Sequence, residues 1–114
     1  MGMFRPEIKI RIDEELVRGE AARSQGLEGR ARVCARRAAG IAVREYLERH
    51  NLEIPGPSAM DLLSYLQSLP DATDEMRQIS ARLQTRVGED HSLPFDADLL
   101  IEARRLVEIL EEMA

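Results

Sequence analysis

The chain of 114 residues lacks tryptophan and contains only two tyrosines and two phenylalanines. So few aromatic rings argue against a platform on which nucleic-acid bases would stack. The single cysteine, Cys34, excludes an intrachain disulfide, and His50 and His91 do not complete a zinc-binding set with it. From these absences we predict a protein with no metal ion and no cofactor.

Long apolar runs are also missing. The first residues, Met-Gly-Met-Phe-Arg-Pro-Glu, carry charges where a signal peptide needs an apolar segment. No stretch approaches the roughly 18 apolar residues of a membrane span. We therefore expect a soluble, cytoplasmic protein without membrane association. A length of 114 residues is that of one domain, and it suffices to bury a core without a disulfide or a metal.

The net charge of −5 is distributed unevenly. Residues 1–50 hold 11 of the 16 basic and 8 of the 21 acidic side chains, whereas residues 51–114 hold 5 and 13. All the basic residues except Lys9 are arginines, which suit ion pairing and phosphate contact better than lysines do. The favoured expectation is that the arginines pair with the acidic half, and the alternative is that they bind phosphate or RNA.

Apolar residues recur at helical spacing along most of the chain. Residues 7–12 instead alternate apolar and charged side chains, which predicts a short strand or an extended arm. Asp13, Ser58 and Thr73 are expected to begin helices, and Asp96 the last one. We predict an all-α fold, a four-to-five-helix up-and-down bundle that forms one domain over residues 13–114 behind an arm at 1–12. The predicted helices span 13–25, 27–49, 58–69, 73–87 and 96–113.

The segment 27–49 has two apolar faces, which is typical of a central helix or of one shared with a second subunit. Cys34 lies within the broader face, as a small buried hydrophobe rather than a reactive thiol. Because a helical glycine costs about 1 kcal/mol relative to alanine, Gly40 suggests a close helix contact. We predict a homodimer through the second face, whereas the alternative is that the first helix and arm cover it. That face carries Val33, Gly40, Val43 and Leu47.

Three arginines, Arg30, Arg37 and Arg44, are spaced seven residues apart on one border between these faces. They are candidate nucleic-acid-binding residues, because a row of guanidinium groups matches a phosphate backbone. Pairing with the acidic half of the chain is the competing interpretation of the same row.

Three blocks of the sequence together resemble the HEPN family (higher eukaryotes and prokaryotes nucleotide-binding domain), over roughly residues 13–113. The first is Gly29-Arg-Ala-Arg-Val-Cys-Ala-Arg-Arg-Ala-Ala-Gly-Ile-Ala-Val-Arg-Glu-Tyr-Leu, similar to the family's alanine-rich second helix. The second, Asn51-Leu-Glu-Ile-Pro-Gly-Pro-Ser-Ala-Met-Asp-Leu-Leu, resembles its proline turn and short helix. The third, Phe95-Asp-Ala-Asp-Leu-Leu-Ile-Glu-Ala-Arg-Arg-Leu-Val-Glu-Ile-Leu, resembles its last helix.

The resemblance implies a helical bundle, commonly dimeric, that handles RNA or nucleotide. Some members are RNases with an Arg and a His four to six residues apart near the start of the last helix, and Arg86 and His91 match that place and spacing. Such toxins are often partnered by a small nucleotidyltransferase. The resemblance therefore implies a binding module in a toxin–antitoxin pair, with two departures from the family pattern, at Val87 and at Ala59-Met60, that favour a non-catalytic role.

Three alternatives stand beside this expectation. A metal-independent RNase would use His91 as general base and Arg86 to stabilise the negative charge of the transition state. A ribbon-helix-helix DNA-binding repressor is similar to the segment Ile8-Lys-Ile-Arg-Ile-Asp-Glu-Glu-Leu, and there Lys9 and Arg11 would contact the major groove from a strand. The last alternative is a purely structural interaction protein.

Overall fold

A computed structural model describes residues 3–85 and 97–114 of the chain. Within these ranges no residue lies in a strand, and the helices share one apolar core. The predicted all-α fold is confirmed. The helices are α1 (Pro6–Ser24), α2 (Glu28–Arg49), α3 (Ala59–Ser68), α4 (Asp74–Gln84) and α5 (Leu99–Met113).

Helix α2 is the centre of the bundle, because it contacts each of the other four helices. The remaining contacts join α3 to α4, α4 to α5 and α1 to α5. Small side chains on α2 let its neighbours approach closely, as the two-faced pattern predicts. The alanines with no exposed surface on this helix are Ala31, Ala35, Ala38, Ala39 and Ala42.

Helix α1 includes the segment for which alternation predicts a strand or arm, and that prediction is wrong. Ile8, Ile12 and Leu16 recur every four residues, so they share one helical face, and all three are buried. Ile10, between them, is 57% exposed. The residues that alternate like a strand thus also include a set with helical spacing. Pro6 at the first helical turn also favours a start there, seven residues before the expected cap, Asp13.

Helices α3, α4 and α5 start with side-chain caps. Ser58 Oγ accepts a hydrogen bond from the amide of Asp61 at 3.1 Å, and Thr73 Oγ1 accepts one from Met76 at 3.2 Å, as predicted. The cap of α5 is Asp98, whose Oδ1 accepts from the amide of Leu100 at 3.0 Å. Asp96, the expected start, lies outside the described residues.

Arginine side chains cap the C-terminal ends of the two short helices. Arg36 of α2 donates from Nε to the carbonyl of Leu83 at 2.6 Å and from Nη2 to that of Thr85 at 3.0 Å. Arg77 donates in the same way to the carbonyl of Leu69 at 3.1 Å, just after α3. These guanidinium groups satisfy carbonyls that a helix end leaves without partners, and they also match the negative end of the helix dipole.

Candidate nucleic-acid interface

The predicted arginine row exists on the surface of α2. Arg30, Arg37 and Arg44 are all exposed, and their spacing of seven residues, nearly two helical turns, keeps them on one side of the helix. The row borders the groove between α2 and α1, which pack as a hairpin of antiparallel helices joined by residues 25–27.

The facing side of this groove also carries arginines, one immediately before α1 and two on it. A cavity of about 330 Å³ is lined by arginines of both sides, and a second one of about 510 Å³ lies next to it. Arg37 lines both cavities, so they form one continuous depression. We call it the arginine groove. Its cationic residues are Arg5, Arg11, Arg18, Arg30, Arg37 and Arg44.

Three carboxylates also line the arginine groove, and each has an arginine partner from within it. Glu15 pairs with Arg18 at 3.0 Å. Glu48 pairs with Arg44 at 3.1 Å. The third, Glu45, is only 2% exposed and accepts hydrogen bonds from a half-exposed arginine. Half of the groove's positive charge is thereby neutralised locally.

The other half has no such partner. Arg11, Arg30 and Arg37 form no ion pair or hydrogen bond with any residue in 3–85 or 97–114. Three uncompensated positive charges thus lie along one groove of a chain whose net charge is −5. This concentration attracts anions with several charges, of which a nucleic-acid backbone is the common case.

The floor of the first cavity, the one of about 330 Å³, is apolar. Ile8, Ile41 and Leu62 line it between the arginines. Its far end is closed where Gly40 approaches α3, and a Cβ atom built at Gly40 would lie 3.0 Å from the Cβ of Ala59. A ligand with a charged backbone and less polar sugar or base faces fits such a lining, since phosphates contact the rim while flat groups cover the floor.

Arg5 and Glu45 set the electrostatics of the groove at its end beside α1. The hydrogen bonds from Arg5 hold the pKa of the Glu45 carboxyl below its usual range, despite the burial of the carboxylate. Glu45 therefore stays ionised at neutral pH, and it is further paired with Arg49 at 3.5 Å. Because two arginines pair with the carboxylate of Glu45, it repels a phosphate less than an unpaired carboxylate would.

Within residues 3–85 and 97–114, the row of arginines on α2 makes no ion pair with the acidic half of the chain. Other basic residues make those contacts. Arg23 pairs with Asp98 at 2.8 Å, and Lys9 pairs with Glu111 at 3.5 Å. Asp98, which caps α5, and Glu111 within it thus pair with basic residues near the two ends of α1, because those ends are their neighbours in space.

The dimer interface predicted on α2 is wrong for three of its four residues. Val43 and Leu47 have no exposed surface, and Gly40 is buried against α3. Only Val33 remains accessible, at 40% exposure. Residues of the same chain cover this second face of α2. At Gly40 the covering residue is Ala59 of α3, whereas the alternative expectation was cover by the first helix and arm.

The predicted catalytic pair, Arg86 and His91, lies outside the described residues. The second histidine, His50, is placed at the end of α2, where its Nε2 lies 2.9 Å from the carbonyl oxygen of Met113. Its ring also lies 4.4 Å from that of Tyr46, between ring centroids. His50 therefore joins the C-terminal ends of α2 and α5, and it does not line the arginine groove.

Cys34 borders the second cavity but is 4% exposed. Burial raises the pKa of its thiol, with the charge of Glu15 adding to the effect. The prediction of a buried cysteine is confirmed. Across residues 3–85 and 97–114, no three His, Cys, Asp or Glu side chains come together in a way that could hold a metal ion.

None of the helices in the described ranges combines the length and the apolar character needed to cross a membrane. Comparison with protein-family models, with curated proteins and with solved structures finds no match to this chain. A functional assignment therefore depends on the arginine groove and on the sequence resemblance described above.

Proposed function

We propose that this chain is a HEPN-like helical module that binds single-stranded RNA in the arginine groove without cleaving it. The observation that supports this proposal is the set of three arginines, Arg11, Arg30 and Arg37, that lack partners in the described part of the chain. They lie along one depression with an apolar floor. Paired arginines elsewhere on the surface hold the fold together and would add little to ligand binding.

The test is the salt dependence of binding to a short, fluorescently labelled single-stranded RNA, followed by anisotropy. For single strands, the slope of log affinity against log salt is about −0.7 for each phosphate contact. We expect Arg37→Gln to weaken binding at low salt and to reduce this slope by about 0.7. Arg11→Gln and Arg30→Gln should act in the same direction, and Arg44→Gln less, because Glu48 already neutralises Arg44.

Arg104→Gln is the matched control for these variants. It removes the same charge from α5, outside the groove, where Arg104 pairs with Glu20 at 3.6 Å. An equal loss of affinity in Arg104→Gln and Arg37→Gln would mean that only net charge matters, which contradicts a binding groove. Affinity of the wild type that does not change with salt would contradict it as well.

The proposal includes a small nucleotidyltransferase as partner in a toxin–antitoxin pair, as the resemblance implies. If this is correct, a nucleotidyltransferase encoded in the adjacent reading frame should co-purify with the chain when the two are expressed together. RNA binding by the chain alone would be unaffected by a failure of this second test, because the groove belongs to one chain.

Two alternatives are separated by the same RNA samples. Cleavage seen on a denaturing gel, and lost in His91→Ala, would favour the RNase over the binding module. The ribbon-helix-helix alternative needs a strand at residues 7–12, and the structure places Lys9 and Arg11 on helix α1 instead. Absence of any RNA binding would leave a structural interaction protein as the better assignment.

A further inference from the structure

The two cavities of the arginine groove differ in charge. All three carboxylates of the groove, those of Glu15, Glu45 and Glu48, line the first cavity. Within residues 3–85 and 97–114, no acidic residue lines the second cavity, the one of about 510 Å³. The second cavity is therefore the part of the groove that suits the most strongly charged end of a ligand.

Two arginines without partners line the second cavity. Arg30 and Arg37 are seven residues apart, so their backbones lie about 10.5 Å apart along one side of α2. Neither forms an ion pair or a hydrogen bond with a residue in the described ranges. An anion bound between them is within reach of both guanidinium groups, because each flexible side chain has to cover only half of that distance.

The other charges near the second cavity form a pair. Arg18 lines the cavity and pairs with Glu15 at 3.0 Å. Burial and the charge of Glu15 raise the pKa of the Cys34 thiol at the cavity wall. The charges of Arg37, Arg18 and Arg30 oppose this rise, so all three guanidinium groups are close enough to act on one point. With Arg18 paired to Glu15, two uncompensated positive charges remain.

The second cavity lies where the groove ends. Gln25 and Gly29, which line it, stand on either side of the turn that joins α1 to α2. The floor consists of small side chains, with Ala22 and Cys34 buried and Val33 40% exposed. This floor leaves room for the sugar that is attached to a bound phosphate. A strand that follows the groove therefore has space for its terminal nucleotide here.

We propose that the second cavity binds the terminal phosphomonoester of an RNA strand. This inference deepens the proposed function and rests on it. At neutral pH a phosphomonoester carries a charge of about −1.5 to −2 and three acceptor oxygens, whereas an internal phosphate carries one charge. The charge of a phosphomonoester thus matches that of Arg30 and Arg37 together. The rest of the strand continues into the first cavity, where each phosphate brings less charge toward the carboxylates.

The test compares three RNAs of one sequence, which end in a 5′-phosphate, in a 3′-phosphate or in hydroxyl groups only. Each carries an internal dye for anisotropy. We expect one phosphorylated RNA to bind about tenfold more tightly than the hydroxyl-ended RNA, because its end accepts additional charge-assisted hydrogen bonds. The end that gains affinity also gives the direction of the strand in the groove.

Two failures of this test are distinguishable. Equal affinity of the three RNAs would overturn the terminal-phosphate inference and leave the proposed RNA binding intact. Absence of binding by all three would overturn both.

Variants with the same loss of charge separate the two cavities. Arg30 lines the second cavity and not the first, whereas Arg11 lines the first and not the second. Arg30→Gln should reduce the preference for the phosphorylated end to about twofold or less. Arg11→Gln should weaken the binding of all three RNAs by a similar factor and keep the preference.

Arg104→Gln, on α5 outside the groove, controls for net charge and should keep both the affinity and the preference of the wild type. Both Arg30 and Arg11 are exposed, so circular dichroism should show unchanged helix content in their variants. A preference that survives in Arg30→Gln, or that is reduced equally in Arg30→Gln and Arg104→Gln, would overturn the assignment of the phosphate to the second cavity.

Discussion

The guanidinium group of Arg5 donates two hydrogen bonds to the carboxylate of Glu45, from Nε at 3.0 Å and from Nη2 at 2.9 Å. Arg5 immediately precedes α1, and Glu45 lies in the last two turns of α2. This bidentate pair therefore anchors the start of the first helix to the end of the second. It also explains how a carboxylate with 2% exposure is accommodated beside an apolar core.

Glu45 should make the stability of the fold dependent on pH. Its pKa is lowered in the folded state by the hydrogen bonds from Arg5, relative to an ordinary value of 4.5. The stabilisation is therefore fully present above that value and is lost as the pH falls through the lowered pKa. We expect urea midpoints of the wild type and Glu45→Gln to differ most at neutral pH and to converge in acid. A constant difference across that range would show that the ionised form gives no extra stability.

Removing the cap that Arg36 provides should loosen the end of α4. Arg36→Met keeps most of the apolar stem but leaves the carbonyls of Leu83 and Thr85 without their donor. We expect a loss of about 1–2 kcal/mol in the free energy of unfolding, measured by urea denaturation. Arg30→Met is the control, because Arg30 has no hydrogen-bond partner in the described ranges and its loss should change stability by less than about 0.5 kcal/mol.

Two glycines of α2 should respond oppositely to alanine. A Cβ at Gly40 would lie 3.0 Å from the Cβ and 3.1 Å from the Cα of Ala59, so Gly40→Ala must push α3 away. A Cβ at Gly29 meets nothing within 4 Å. We expect Gly40→Ala to destabilise the fold by about 1–3 kcal/mol and Gly29→Ala to stabilise it by up to about 1 kcal/mol. Thermal melts of the two variants check this. Stabilisation by both substitutions would mean that α2 and α3 have room for a Cβ atom at Gly40.

Cys34 should be almost inert in the folded protein. Its thiol is buried and its raised pKa keeps it protonated at neutral pH, so the nucleophilic thiolate is scarce. We expect reaction with a disulfide reagent to proceed at the rate at which the fold opens, and to become rapid in urea. Stoichiometric labelling within seconds under native conditions would contradict the placement of this side chain.

Much of the fold is predictable from sequence because burial follows the helical period. Ser58 and Thr73 mark helix starts, and the alanines of 27–49 identify the central helix. The start of α1 is not predictable from sequence, because Ile8, Ile10 and Ile12 fit the strand period while Ile8 and Ile12 also fit the helical period, and only packing on α2 decides between them. The same ambiguity conceals two of the groove's arginines, Arg5 and Arg11, because the alternating pattern assigns both to an arm.

The predicted dimer strip failed for a different reason. A helix with two apolar faces requires two sets of neighbours, but the periodicity of one helix does not reveal whether they come from the same chain. Gly40 is covered by Ala59. Ala59 follows a turn that contains prolines, and the sequence does not show on which side of α2 that turn places the next helix. The charge pairs are equally inaccessible to sequence: Arg23 meets Asp98, 75 residues away, because both lie at one end of the bundle.

The position of α2 has a consequence for how the protein unfolds. Each of the other helices contacts α2, so melting of α2 removes contacts from all of them and leaves only those of α4 with α3 and α5 and those of α1 with α5. Partial unfolding is then restricted to the periphery, where a single outer helix detaches while α2 keeps its remaining neighbours. The slowest-exchanging amide hydrogens should accordingly belong to α2, near its buried alanines, and their exchange should report the free energy of global unfolding.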